Sequence, residues 1–133
     1  MRYNQFYSEL GKLLYAIADA DGNISDKEKT AVKELVKKEL VPLEHSMDEF
    51  GTDAGYYTEF EFDIMDESVT DPGVAFESFL NYVDDHKTAI DAAMIEKARK
   101  LATQVAEAHH HTNKKERQLL EKLNKKLGEI QKK

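Results

Sequence analysis

Apolar residues in this chain recur every three or four positions, the period of a helix that buries one face. Between residues 2 and 20, Phe6, Leu10, Leu13, Leu14 and Ile17 fall on one stripe. Ser25-Asp26-Lys27-Glu28 then has the form of a capping box, in which Ser25 accepts from the amide of Glu28 and the Glu28 carboxylate reaches back. The helix it starts carries Val32, Leu35, Val36 and Leu40 and is expected to stop near Pro42. Asp71-Pro72 is a second start signal, an N-cap followed by proline at the first helical position, with Phe76, Phe79, Leu80 and Val83 as the inward stripe. Residues 88–110 repeat the spacing through Ile90, Met94, Leu101 and Val105. Leu119, Leu120, Leu123, Leu127 and Ile130 mark a last amphipathic helix.

The stretch 43–70 is less regular. Phe60-Glu61-Phe62-Asp63-Ile64 alternates as a strand would, yet Tyr57, Phe60, Ile64 and Met65 also fit one helical face. With helical neighbours and no partner strand, the reading is helix, preceded by a break around Gly51 and Gly55. The fold class expected is all-α: a single-domain helical bundle of about six or seven helices. Its 133 residues suffice for one core without disulfides.

A shift of 88 residues superposes two parts of this pattern. Leu13 falls on Leu101, Ile17 on Val105, Ala18 on Ala106, Glu28 on Glu116, Val32 on Leu120 and Leu35 on Leu123. Asn113-Lys114-Lys115-Glu116 repeats the capping box in register. Residues 1–133 thus read as two pseudo-repeated helix–loop–helix units, about 6–40 and 94–128, around an acidic aromatic insert at about 43–87.

Charge sharpens that division. Residues 43–91 hold fourteen carboxylates and Lys87 as their only Lys or Arg, a net of −13, whereas residues 95–133 are net +6. Eight of the twelve Phe and Tyr residues lie in the acidic part, which marks it as folded rather than as a disordered tail. Glu59, Glu61 and Asp63 are its candidate interaction surface for a basic partner. The lysines of the last helix read as an ordinary charged outer face that meets this acidic part, within or between chains. With no interleaved aromatics and a molecular net charge of −7, nucleic acid is not an expected partner. The absence of cysteine excludes disulfides, thiolate metal sites and thiol catalysis. No apolar run approaches membrane-spanning length and no secretory segment opens the sequence, so a soluble cytoplasmic protein is expected.

The loop Asp19-Ala20-Asp21-Gly22-Asn23-Ile24-Ser25-Asp26-Lys27-Glu28 carries the most oxygen donors. It is no EF-hand. Placing Gly22 at the sixth position makes Ile17 the first ligand, and starting at Asp19 puts Thr30 where a bidentate glutamate belongs. Turn chemistry also accounts for the same residues, since Asp, Asn and Gly favour tight turns and Glu28 completes the cap.

Ala18-Asp19-Ala20-Asp21-Gly22-Asn23-Ile24-Ser25-Asp26-Lys27-Glu28 between two amphipathic helices resembles the signature of the tellurite-resistance TerB-like family. The match is good over residues 10–36, and it is weaker over 98–123, where only the helices and Glu116 fit. The resemblance implies an all-helical, non-enzymatic bundle tied to bacterial stress response, which binds metal ions and contacts membrane-associated protein partners without itself spanning the membrane. Asp19 and Asp21 would then be direct ligands of a divalent cation, Ca²⁺ or Mg²⁺, with Asn23 and Glu28 completing the loop, and no organic cofactor is implied. In the second unit the Asp-Gly element is replaced by His109-His110-His111.

Glu107, His109 and His110 could form a second metal site if the helix ends there. Consecutive helical positions diverge by about 100°, and a polar helix end is the simpler account. Asp84-Asp85-His86 reads as another helix end. Ser8, His45 and Ser46 offer a nucleophile and a base, but no spacing orders them into a triad. The competing function classes are therefore a metal-independent helical adaptor and a metal-dependent hydrolase.

Overall fold

The computed structural model describes residues 3–20, 24–46, 54–108 and 114–131. Among the described residues there are six helices: α1 (Tyr3–Ala18), α2 (Asp26–Ser46), α3 (Ala54–Glu67), α4 (Pro72–Asp85), α5 (Ala92–Ala108) and α6 (Lys114–Gln131). The all-α bundle follows the period of the sequence. Helices α2 and α6 begin 88 residues apart, the offset that aligns the two repeats. Leu13 and Leu101, Ile17 and Val105, and Ala18 and Ala106 are all buried. The first helix of each hairpin also touches the second helix of the other, α1 on α6 and α5 on α2.

Helix α1 is the axis of the bundle and contacts each of the other five. Its residues from Leu10 to Ala18 are buried apart from Lys12, because a helix segment that is apolar on every side can be satisfied only by neighbours on every side. Helix α3 runs alongside it in the same direction. Thr58 Oγ1 donates to the Tyr7 carbonyl at 2.8 Å, and Tyr15 meets Phe62 edge-on at 6.0 Å between ring centroids. Gly11 permits this approach: a Cβ there would collide with the Thr58 carbonyl oxygen and lie 3.0 Å from Glu61 Cβ. One hydrophobic cluster draws side chains from all six helices.

The caps show where local chemistry sets the boundaries. Ser25 N donates to Glu28 Oε1 at 2.8 Å and Glu28 N to Ser25 Oγ at 3.1 Å, the reciprocal box expected. Val74 N donates to Asp71 Oδ2 at 3.2 Å at the start of α4. His86 ends α4, its Nδ1 2.9 Å from the Tyr82 carbonyl.

Four expectations change. Helix α2 does not stop near Pro42 but continues to Ser46, since proline removes one hydrogen bond without preventing neighbouring turns from forming. Gly55 lies inside α3 rather than in a break before it. The fifth helix begins at Ala92, later than residue 88, because Asp91 caps it: Met94 N donates to Asp91 Oδ1 at 2.8 Å. Ile90 and Ile95, both buried, occupy the staple positions around that cap. Within α3, Phe60 faces solvent and Phe62 takes the core, because the face opposite Gly11 is the one carrying Thr58 and Phe62.

Candidate functional site

Of the four loop residues expected to hold a cation, Asp19 and Glu28 are described; Asp21 and Asn23, with Gly22, lie outside the described residues. Asp19 follows α1 and is buried. Its Oδ2 lies 3.0 Å from the Tyr15 hydroxyl, which also reaches the Thr70 carbonyl at 2.7 Å. The hydroxyl has one proton, so one of these oxygens accepts it and the other faces the hydroxyl's lone pairs. Burial, the bond to Asp19 and the charges of Asp19, Asp66 and Asp71 hold the Tyr15 phenol well above its ordinary range. The hydroxyl thus joins Asp19, just after α1, to the turn between α3 and α4. Glu28 is held in its cap, with Oε1 on the Ser25 amide. Among the described residues, no three His, Asp or Glu side chains come together as a metal ion would require.

The α3–α4 turn itself is strained. Val69 has φ of 50° and is 83 % exposed. Thr70 N donates to the Met65 carbonyl at 3.0 Å and Val69 N to the Asp66 carbonyl at 3.2 Å, a helix ending that glycine usually makes.

The acidic residues of α3 do not form a single patch. Glu59 and Asp63 are one helical turn apart, whereas Glu61 points towards α1 near Gly11. Burial pushes the Glu61 carboxyl above its usual range; Lys12 opposes this and Glu9 adds to it. Asp63 pairs with Lys33 at 2.9 Å and Asp66 with Lys29 at 2.8 Å, tying α3 to α2. Lys122–Glu77 at 2.9 Å and Lys126–Asp84 at 3.2 Å tie α6 to α4. The basic helix therefore meets the acidic segment within the chain.

Glu107 is exposed at the end of α5; His109 and His110 lie outside the described residues, as do the side chains of His45 and Ser46. The polar cluster that does form involves Ser78, which sequence spacing did not single out. Ser78 Oγ donates to Glu9 Oε1 at 2.8 Å, and Lys12 Nζ donates to Ser78 Oγ at 3.2 Å and to Glu9 Oε2 at 3.0 Å. The ammonium is the donor in both of its bonds, so it has no lone pair to take the serine proton, and the cluster closes the α1–α4 seam. Glu39, missed likewise, is buried on α2 and accepts from Lys97 at 3.4 Å and Gln104 at 3.3 Å, with Lys100 at 3.1 Å. Partners 58 and 65 residues away leave no local signal.

Among the described residues, no helix is long and apolar enough to cross a membrane. Comparison of the chain with family models, with curated proteins and with solved structures yields no match.

Proposed function

We propose that the chain is a non-enzymatic helical binding module, TerB-like in kind, that captures a protein partner on its acidic side in a cytoplasmic stress-response or tellurite-resistance setting. One observation carries the reading: carboxylates on α3 and α4 outnumber the cations that reach them. Lys29, Lys33, Lys122 and Lys126 are taken by Asp66, Asp63, Glu77 and Asp84. Glu59, Glu67 and Asp85 have no ion-pair partner among the described residues, so these two helices present uncompensated negative charge. Such a field attracts a basic surface and speeds its encounter. Charge reversal at Glu59, Glu61 and Asp63, beside Glu67→Lys as a variant at an exposed position, tests it. Salt-sensitive binding of a basic partner should fall in both, and retained binding after charge reversal removes the proposal.

A second reading is a weak Ca²⁺ or Mg²⁺ site in the loop of Asp19, Asp21, Asn23 and Glu28, and it rests on the oxygen donors that this stretch of sequence carries. Calorimetric titration of chelator-treated protein with Ca²⁺, Mg²⁺, Zn²⁺ and Ni²⁺, beside the Asp19→Asn/Asp21→Asn variant, decides it. Saturable binding lost in the variant supports the loop. Binding of Zn²⁺ or Ni²⁺ alone that survives the change points instead to Glu107, His109 and His110.

A further inference from the structure

Tyr56, Phe60, Asp63 and Glu67 follow one another along α3 at steps of four, three and four residues, which places them on one face over about 16 Å. Tyr56 is 58 % and Phe60 50 % exposed, and their rings stack at 5.7 Å with planes 16° apart. Tyr57 meets Tyr56 edge-on at 5.7 Å. A single exposed ring is ordinary, but a stacked pair continuous with carboxylates is a surface with apolar anchors at one end and negative charge at the other.

Resting on the partner-binding reading above, we propose that this face of α3 is the docking site for a basic amphipathic helix of a partner protein. The partner would set leucine or methionine side chains against Tyr56 and Phe60, and arginines against Glu67 and against the half-exposed Asp63, which they would share with Lys33. The four-three-four spacing matches the ridge that a second helix presents. The charge is complementary at Glu67, which is exposed and has no ion-pair partner among the described residues, while Asp63 beside it is shared with Lys33. Arginine suits both ends, because a guanidinium stacks on an aromatic face and pairs with a carboxylate through two parallel hydrogen bonds. A second copy of this chain is a poorer occupant. Its own basic helix, α6, has Leu123, Leu127 and Ile130 buried in its core and Lys122 and Lys126 already paired with α4.

The test uses the full chain, isotope-labelled for NMR, and a synthetic 18-residue amphipathic peptide with leucine on one face and arginine on the other. Saturable shifts centred on α3 are expected. Tyr56→Ser/Phe60→Ser should weaken binding at least tenfold and Asp63→Asn/Glu67→Gln at least fivefold, while circular dichroism stays unchanged. A peptide with glutamate in place of arginine should not bind. The proposal is overturned by equal binding of the glutamate peptide, by no binding of the arginine peptide to the unmodified chain, or by sedimentation showing a dimer that Tyr56→Ser/Phe60→Ser dissolves. Arginine-peptide binding that ignores the α3 variants also overturns it. If that binding is nonetheless abolished by Glu59, Glu61 and Asp63 reversal, the acidic-side reading survives and only its location on this face fails.

Discussion

Gly11 on α1 and Thr58 on α3 sit against one another with no room for a methyl group between them. This contact lets the Thr58 hydroxyl reach the Tyr7 carbonyl and seats Phe62 in the core. Gly11→Ala gains helix propensity of about 1 kcal/mol but must push two backbones apart. A net loss of about 1–3 kcal/mol is expected from denaturant unfolding. Gly128, in α6, has nothing within 4 Å of a Cβ built on it. Gly128→Ala should accordingly stabilise by about 0.5–1 kcal/mol. Equal effects at the two glycines would mean that α1 and α3 are not in close contact.

Tyr15→Phe keeps the ring against Phe62 and removes the hydroxyl between Asp19 and the Thr70 carbonyl. Whichever of these two oxygens accepts the proton loses its donor, at a cost of about 1–2 kcal/mol. The α3–α4 turn should loosen locally, seen as faster amide exchange at Ser68, Val69 and Thr70 with little change in α5. Uniform acceleration along the chain would show that the hydroxyl is not a local clasp.

Two glutamates should shape the pH dependence of stability with opposite signs. Burial disfavours the charge of Glu39, but bonds from Lys100, Gln104 and Lys97 and the Lys100 charge outweigh it and hold the carboxyl below its ordinary value. The folded state therefore binds this proton less readily than the unfolded chain does, and the stability it adds at neutral pH is lost as pH falls through the folded value. Glu39→Gln should cost about 1–2 kcal/mol at pH 7 and flatten the acid side of the profile, the lysines being solvated enough to limit the loss. Glu61 is raised, so its stabilising contribution is present below the unfolded value and lost as pH rises through the folded one. Glu61→Gln should stabilise at pH 7 and make no difference in acid. Denaturation midpoints from pH 3 to 7 check both signs.

Val69 holds a left-handed backbone with a branched side chain that is almost wholly in solvent. Val69→Gly relieves that conformation while loosening the unfolded chain, for a net gain of about 0.5–1 kcal/mol. A loss on this substitution, measured by thermal unfolding, would indicate that the valine side chain makes a contact worth more than the strain.

What could be read in the chain is what depends on near neighbours. The core stripe of α1, the Ser25–Glu28 box, the Asp71-Pro72 start and the 88-residue repeat all follow from the helical period and from hydrogen bonds spanning three or four residues. Asp91 had the same local signal and was obscured because Ile90 falls on the helical stripe although it precedes the helix. Phe60 and Phe62 could not be told apart by pattern, since both sit in an alternating run and only the docking of α3 on Gly11 decides which one is buried.

The candidate surface was legible as composition and not as geometry. An acidic segment rich in aromatics is plain in the sequence, as is the Asp-Gly loop. That Asp63 is spoken for by Lys33, that Glu61 turns towards α1, and that Tyr56 and Phe60 stack in solvent depend on where α2 and α1 lie against α3. The sequence by itself determined the helices and most of their caps, because these are set by interactions within one or two turns. The tertiary structure alone decided which carboxylates are compensated, which aromatic is left outside, and that Tyr15 closes on Thr70, because each needs groups far apart in the chain to be brought within a few ångströms.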